Sequence, residues 1–184
     1  MKEIILGLNA YHADSSAAIF VDGILIAATE EERFRRIKHW AGFPSEAITF
    51  CLGEVGCKLE DVTAITIGRD PSAKKLNKAA FVLKHPLIAK SLWNQRSANK
   101  DDITLLHEQF RLVEPGVDVD MVRGKLRFIE HHRSHLGSAF FPSPFEEAAI
   151  LSIDGSGDFS TTMLARGKGT QIEVLESLDF PNSV

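Results

Sequence analysis

Two apolar runs, residues 17–21 and 24–29, flank Asp22-Gly23, and this arrangement narrows the possible folds more than any other in the chain. Asp and Gly both tolerate positive φ, so the pair closes a two-residue primed turn whose twist matches the strands on either side. The two runs must then pair antiparallel. Residues 3–8 form a third apolar run, so the chain opens with three consecutive strands. Ala10-Tyr11-His12-Ala13-Asp14-Ser15-Ser16 joins the first to the second, either as a plain surface turn or as a loop whose amides and hydroxyls face a ligand.

After the third strand, the charged stretch Glu30-Glu31-Glu32-Arg33-Phe34-Arg35-Arg36-Ile37-Lys38-His39 leads to Gly42-Phe43-Pro44. Ser45 reads as the N-cap of a helix that runs to residue 55 and is closed by Gly56. Residues 62–68 suit a buried strand. The character changes over residues 71–124, which are lysine-rich and lack a clean strand; expected helices at 73–83, 87–94 and 101–113 make this stretch a helical insertion. The regular pattern then resumes with a strand at 126–130, a short helix at 133–140 and a strand at 148–153. A turn at 154–158 follows, with strands at 160–166 and 171–178. Three meander strands followed by alternating helices and strands predict an α/β fold with a mixed sheet, half of a ribonuclease H-like or actin-like ATPase domain.

With 184 residues, 44% hydrophobic and 25% charged, the chain can bury a real core, and one domain is the default. A net charge of -4 argues against a general nucleic-acid binder, because neutralising phosphates requires a basic excess. Nowhere do eighteen apolar residues run consecutively, and no basic segment leads into a long apolar one, so a cytoplasmic protein that does not enter a membrane is expected. Cys51 and Cys57 have neither a second pair nor a Cys-x-x-Cys spacing and read as buried free thiols.

Chemistry concentrates in His131-His132-Arg133-Ser134-His135 and Asp154-Gly155-Ser156-Gly157-Asp158. On a helix His131 and His135 lie at i, i+4 and project from one side, whereas His132 at i, i+3 is the weaker partner. Two imidazoles and a carboxylate suit iron(II), manganese or zinc, and a strand returning beside the helix can supply Asp154 as third ligand. The two glycines around Ser156 permit positive φ and close backbone approach, so the amides of Gly155, Ser156 and Gly157 can cradle a phosphate; the same residues also make an ordinary hairpin turn. Arg33, Arg35, Arg36 and Lys38 can grip an anion, or form a solvated, salt-bridged face with the preceding glutamates. His12 can serve as a general acid or base, or merely hydrogen-bond within its turn.

Three blocks together resemble the amino-terminal part of the antibiotic and nodulation-factor O-carbamoyltransferases, a family with an actin-like, Kae1-like domain. They are Gly7-Leu8-Asn9 through His12 to Ser15-Ser16-Ala17-Ala18; Glu30-Glu31-Glu32-Arg33-Phe34 through Lys38-His39 to Gly42-Phe43-Pro44; and His131-His132 through His135 to Asp154-Gly155. The resemblance implies that carbamoyl phosphate and ATP give a carbamoyl-adenylate, from which the carbamoyl group passes to a hydroxyl of a small molecule. It also implies that His131, His135 and Asp154 ligate iron(II) or a similar divalent ion touching the nucleotide phosphates, with zinc or manganese as alternatives. His12 becomes an acid/base residue near the carbamoyl group, and Arg33 and Lys38 steer anions.

Relatives in that family continue for several hundred residues beyond the position of Val184. The expected whole is therefore the amino-terminal portion of a carbamoyltransferase, inactive without its carboxy-terminal half, with small molecules rather than nucleic acid as partners. A surface meant for the missing half can drive homodimerisation. Two other readings remain: another actin-like protein, such as a tRNA-threonylcarbamoylation or sugar-kinase relative, and a non-catalytic α/β interaction module.

Overall fold

The computed structural model describes residues 2–86 and 105–182. The chain divides into two compact units, Met1–Ile67 with Asn94–Arg127 and Gly68–Trp93 with Phe128–Val184. The first holds a five-stranded mixed sheet in the order β3-β2-β1-β4-β5. β1 (Ile4–Asn9), β2 (Ser16–Val21) and β3 (Ile24–Glu30) form the expected antiparallel meander. Asp22 at φ 50° and Gly23 at φ 79° close the β2–β3 turn, with Val21 paired to Ile24. Both central residues lie at positive φ, as a type I′ turn requires. β4 (Ala64–Ile67) runs parallel to β1, and β5 (Leu126–Phe128) lies beyond it.

Alternation along β1 sends Ile4, Leu6 and Leu8 to one face, where α2 (Ser45–Val55) covers the sheet with Ala47, Ile48, Cys51 and Leu52. Each large aliphatic chain so buried stabilises the unit by about 1.5–3 kcal/mol. Gly56 at φ 69° ends α2 as expected, its N–H returning to Gly53 O and Leu52 O. The helix start is different from the expectation. Pro44 occupies the N-cap, Ser45 is the first helical residue, and the capping acceptor comes from Glu31. The fully buried carboxylate of Glu31 accepts the N–H groups of Glu46 at 3.2 Å and Ala47 at 2.8 Å. Arg35, in the single-turn α1 (Glu32–Arg35), donates its Nε to the same carboxylate at 2.7 Å.

Of the stretch read as an insertion, expected helix 87–94 and residues 101–104 lie outside the described residues. Expected helix 73–83 is present as α3 (Lys75–Lys84), which belongs to the second unit. The remainder of expected helix 101–113 is a short α4 (Leu106–Gln109) running into a 3-10 turn, Phe110–Leu112. A further helix, α5 (Val119–Lys125), follows Asp118, whose side chain accepts the N–H of Asp120 and Met121. This stretch supplies Leu106, Phe110 and Val122 to the first unit's core, all fully buried.

In the second unit α6 (His131–Phe140) packs Leu136 and Phe140 against Ile150, Met163 and Ala165 of a three-stranded antiparallel sheet. The strands are β6 (Glu147–Gly157), β7 (Ser160–Lys168) and β8 (Gln171–Asp179). The expected turn at 154–158 is mostly strand. Ile153 pairs with Thr162 and Gly157 with Ser160, so Asp154, Gly155 and Ser156 bulge opposite the single residue Thr161. The chain reverses at Asp158 and Phe159, at φ 50° and 86°. A bulge re-aims side chains that regular alternation would send elsewhere. Among the described residues no helix is long and apolar enough to cross a membrane.

Candidate metal centre

α6 begins two residues earlier than its sequence pattern suggests because Glu130 caps it, its carboxylate accepting the N–H of Arg133 at 2.9 Å. His131 is thereby the first helical residue and His135 stands one turn on. Their Nε2 atoms approach to 3.0 Å, and Asp154 Oδ2, from the bulge in β6, lies 2.8 Å from His131 Nε2 and 3.8 Å from His135 Nε2. Ligand atoms about 2.0–2.1 Å from one tetrahedral ion stand roughly 3.3 Å apart, and these separations bracket that value. The donor set, two imidazoles and one carboxylate, suits a divalent transition metal.

Electrostatics favour the ligating forms. Burial, reinforced by neighbouring His131, pushes the His135 imidazole below the ordinary histidine range and keeps it neutral. Asp154 is held below the usual carboxylate range by the hydrogen bond from His131 and by the Gly155 N–H. Three lone-pair donors so close together repel one another unless a proton or a cation lies between them. His131 Nδ1 lies 3.4 Å from Gly68 O. A carbonyl can only accept, so with a cation in place of the Nε2 proton that Asp154 receives here, this contact would hold the remaining ring proton on Nδ1 and leave Nε2 to ligate.

His132 points the other way. It is fully buried, with Nδ1 2.8 Å from Ser152 Oγ and Nε2 3.1 Å from Ser160 O. Of the residues read as a phosphate cradle, Gly155 turns its N–H onto its own neighbour Asp154 Oδ1 at 2.6 Å, and Ser156 Oγ is buried without a partner among the described residues. Gly157 lies against the His131 ring, where a β-carbon would fall 1.9 Å from His131 Cδ2. Only glycine permits that approach.

His12, Arg33 and Lys38 belong to the first unit. His12 is exposed in a loop that Asn9 Nδ2 holds by donating to Ala13 O and Asp14 O, each at 3.1 Å. Ser15 Oγ ties the same loop to Gly42 O at 2.8 Å. Arg33 reaches Glu30 at 3.8 Å, and Lys38 donates to Glu32 at 3.1 Å. Asp14, Glu32 and His39 form a second tight group, unforeseen in the sequence because its members are 18 and 7 residues apart and share no motif. Its polar atoms already pair, His39 Nδ1 with Asp14 Oδ1 at 2.8 Å and Glu32 with Lys38 and the His39 N–H.

The family model described as "Carbamoyltransferase N-terminus" matches residues 4–184. The chain is 41% identical over 187 residues to uncharacterized protein sll1178 of Synechocystis sp., covering 98% of this chain and 30% of that protein. It is 36% identical over 176 residues to nodulation protein NolNO of Sinorhizobium fredii, covering 95% of this chain and 24% of that one. It thus spans less than a third of the length of either relative. Among solved structures, YeaZ from Pseudomonas aeruginosa aligns with a TM-score of 0.49 at 13% identity, over 97% of this chain and 68% of that chain. With the family model matching nearly its whole length, the chain belongs to the carbamoyltransferase amino-terminal family.

Proposed function

We propose that this chain is the amino-terminal segment of an ATP-dependent O-carbamoyltransferase built on half of an actin-like domain. In this reading carbamoyl phosphate, ATP and water yield a carbamoyl-adenylate with release of phosphate and pyrophosphate, and its carbamoyl group then passes to a hydroxyl of a small molecule with AMP as the leaving group. The observation that carries the reading is the convergence of His131 Nε2, His135 Nε2 and Asp154 Oδ2 within a protein of this family. A divalent ion held there, iron(II) foremost with zinc or manganese as alternatives, supplies charge neutralisation at phosphate oxygens.

The chain's own residues have distinct tasks. His131 and His135 offer neutral nitrogens, Asp154 offers the balancing negative charge, and the open Cα of Gly155 leaves room for a phosphate beside them. His12 serves as acid or base at the carbamoyl group, and Arg33 and Lys38 attract the anionic substrates. Transfer itself belongs to a polypeptide of the relatives' length.

Two measurements test this. Cobalt(II) titrated into the 184-residue chain binds at a single site, and His135→Ala weakens binding at least tenfold. Equal affinities overturn the metal reading. In a polypeptide of full family length, AMP release from ATP should require carbamoyl phosphate and should collapse in His135→Ala. AMP release independent of carbamoyl phosphate overturns the carbamoyl transfer reading.

A further inference from the structure

We propose that Asp158 is a positioning residue for the His131–His135–Asp154 centre, an inference that rests on the metal reading above. In the sequence Asp154 and Asp158 stand at the two ends of one Asp-Gly-Ser-Gly-Asp run. The structure gives the two separate tasks. Asp154 Oδ2 faces the imidazoles, whereas Asp158 Oδ2 accepts the backbone N–H of His131 at 3.0 Å and that of Asp70 at 2.6 Å. Asp158 is outside the convergent ligand group.

Each of those two hydrogen bonds controls a different coordinate of His131. The N–H of His131 is the first of α6, one of the donors that a helix leaves without an internal acceptor. A carboxylate there satisfies it and is favoured by the helix dipole, so the bond fixes where the helix starts and where His131 projects. The bond to Asp70 anchors the segment carrying Gly68, whose carbonyl lies 3.4 Å from His131 Nδ1 and can hold the ring proton there when Nε2 ligates. Outer hydrogen bonds of this kind orient metal-bound histidines and typically matter about 10–100-fold in metal affinity. Gly157, the preceding residue, closes the third side by lying against the ring. Asp158 itself sits at φ 50°, a conformation that L-residues rarely adopt and that turns its carboxylate back toward α6.

Asparagine keeps an oxygen that can accept both N–H groups and removes the charge; alanine removes the acceptor. Cobalt(II) affinity and visible absorption of the 184-residue chain separate positioning from ligation. Asp158→Ala should weaken cobalt binding at least tenfold and shift the spectrum, while Asp158→Asn stays within about threefold of wild type with an unchanged spectrum. Asparagine as weak as alanine, or alanine indistinguishable from wild type, overturns the proposal. Should Asp158→Ala not fold, Asp158→Ser, whose hydroxyl is too short to span both donors, replaces it with the same expected loss. Histidine side-chain 15N spectra of metal-free protein give a readout that does not depend on the metal reading. The His131 ring signals should move in the alanine or serine variant and return in the asparagine one. Unmoved signals overturn the proposal even where wild type and His135→Ala bind cobalt equally, a result that by itself sinks only the metal reading.

Discussion

At the scale of single residues, the centre is defined by close approaches that tolerate almost no added volume. A β-carbon on Gly157 would overlap the His131 ring, so Gly157→Ala should displace the imidazole and cost at least tenfold in cobalt affinity, read by titration. Gly155, two residues away and open at its Cα, should accept alanine with little effect on the same titration. Protonation provides a second check. The lowered His135 value means that the unfolded chain takes up its proton first as pH falls through about 6.5, so this group's contribution weakens stability progressively below that pH. Asp154, also lowered, adds stability that is present above the ordinary aspartate range and disappears as pH falls through its folded value. In metal-free protein, His135→Asn should therefore flatten the fall in unfolding free energy between about pH 7 and 5, measured by denaturant titration. Cys51, pushed up to about 11 by burial, should resist alkylation at pH 8 until the protein unfolds.

Among the elements, those closed by local chemistry were legible and those closed from a distance were not. Asp22-Gly23 and Gly56 announce their turn and their helix end because the required positive φ belongs to the residue itself. The start of α2 is different. Its acceptor, Glu31, lies 15 and 16 residues before the amides it serves, inside a charged run that also reads as a solvated face. Arg33 and Lys38 do make such exposed pairs, while Glu31 is fully buried. Glu31→Ala should destabilise the protein by about 2–3 kcal/mol, the loss of a cap plus the amides and guanidinium left short of an acceptor. Equilibrium unfolding measures it, and a loss below about 0.5 kcal/mol would show that water replaces the carboxylate without penalty. β6 shows the same limit from the other direction. Its Asp-Gly-Ser-Gly run reads as a turn by composition, yet pairing with β7 extends the strand through it as a bulge.

For the whole molecule, the sequence by itself determined the opening meander, the α/β class, the helix that carries two histidines one turn apart, and the family. Each of these rests on periodicity, on turn residues or on motifs, which are properties of neighbours along the chain. Only the tertiary structure decided that residues 106–122 supply core to the first unit, that a bulge brings Asp154 to the imidazoles, and that Asp158 grips backbone at Asp70, 88 residues away. Such pairings leave no local mark, because a carboxylate accepting a distant amide has the same sequence as one facing water.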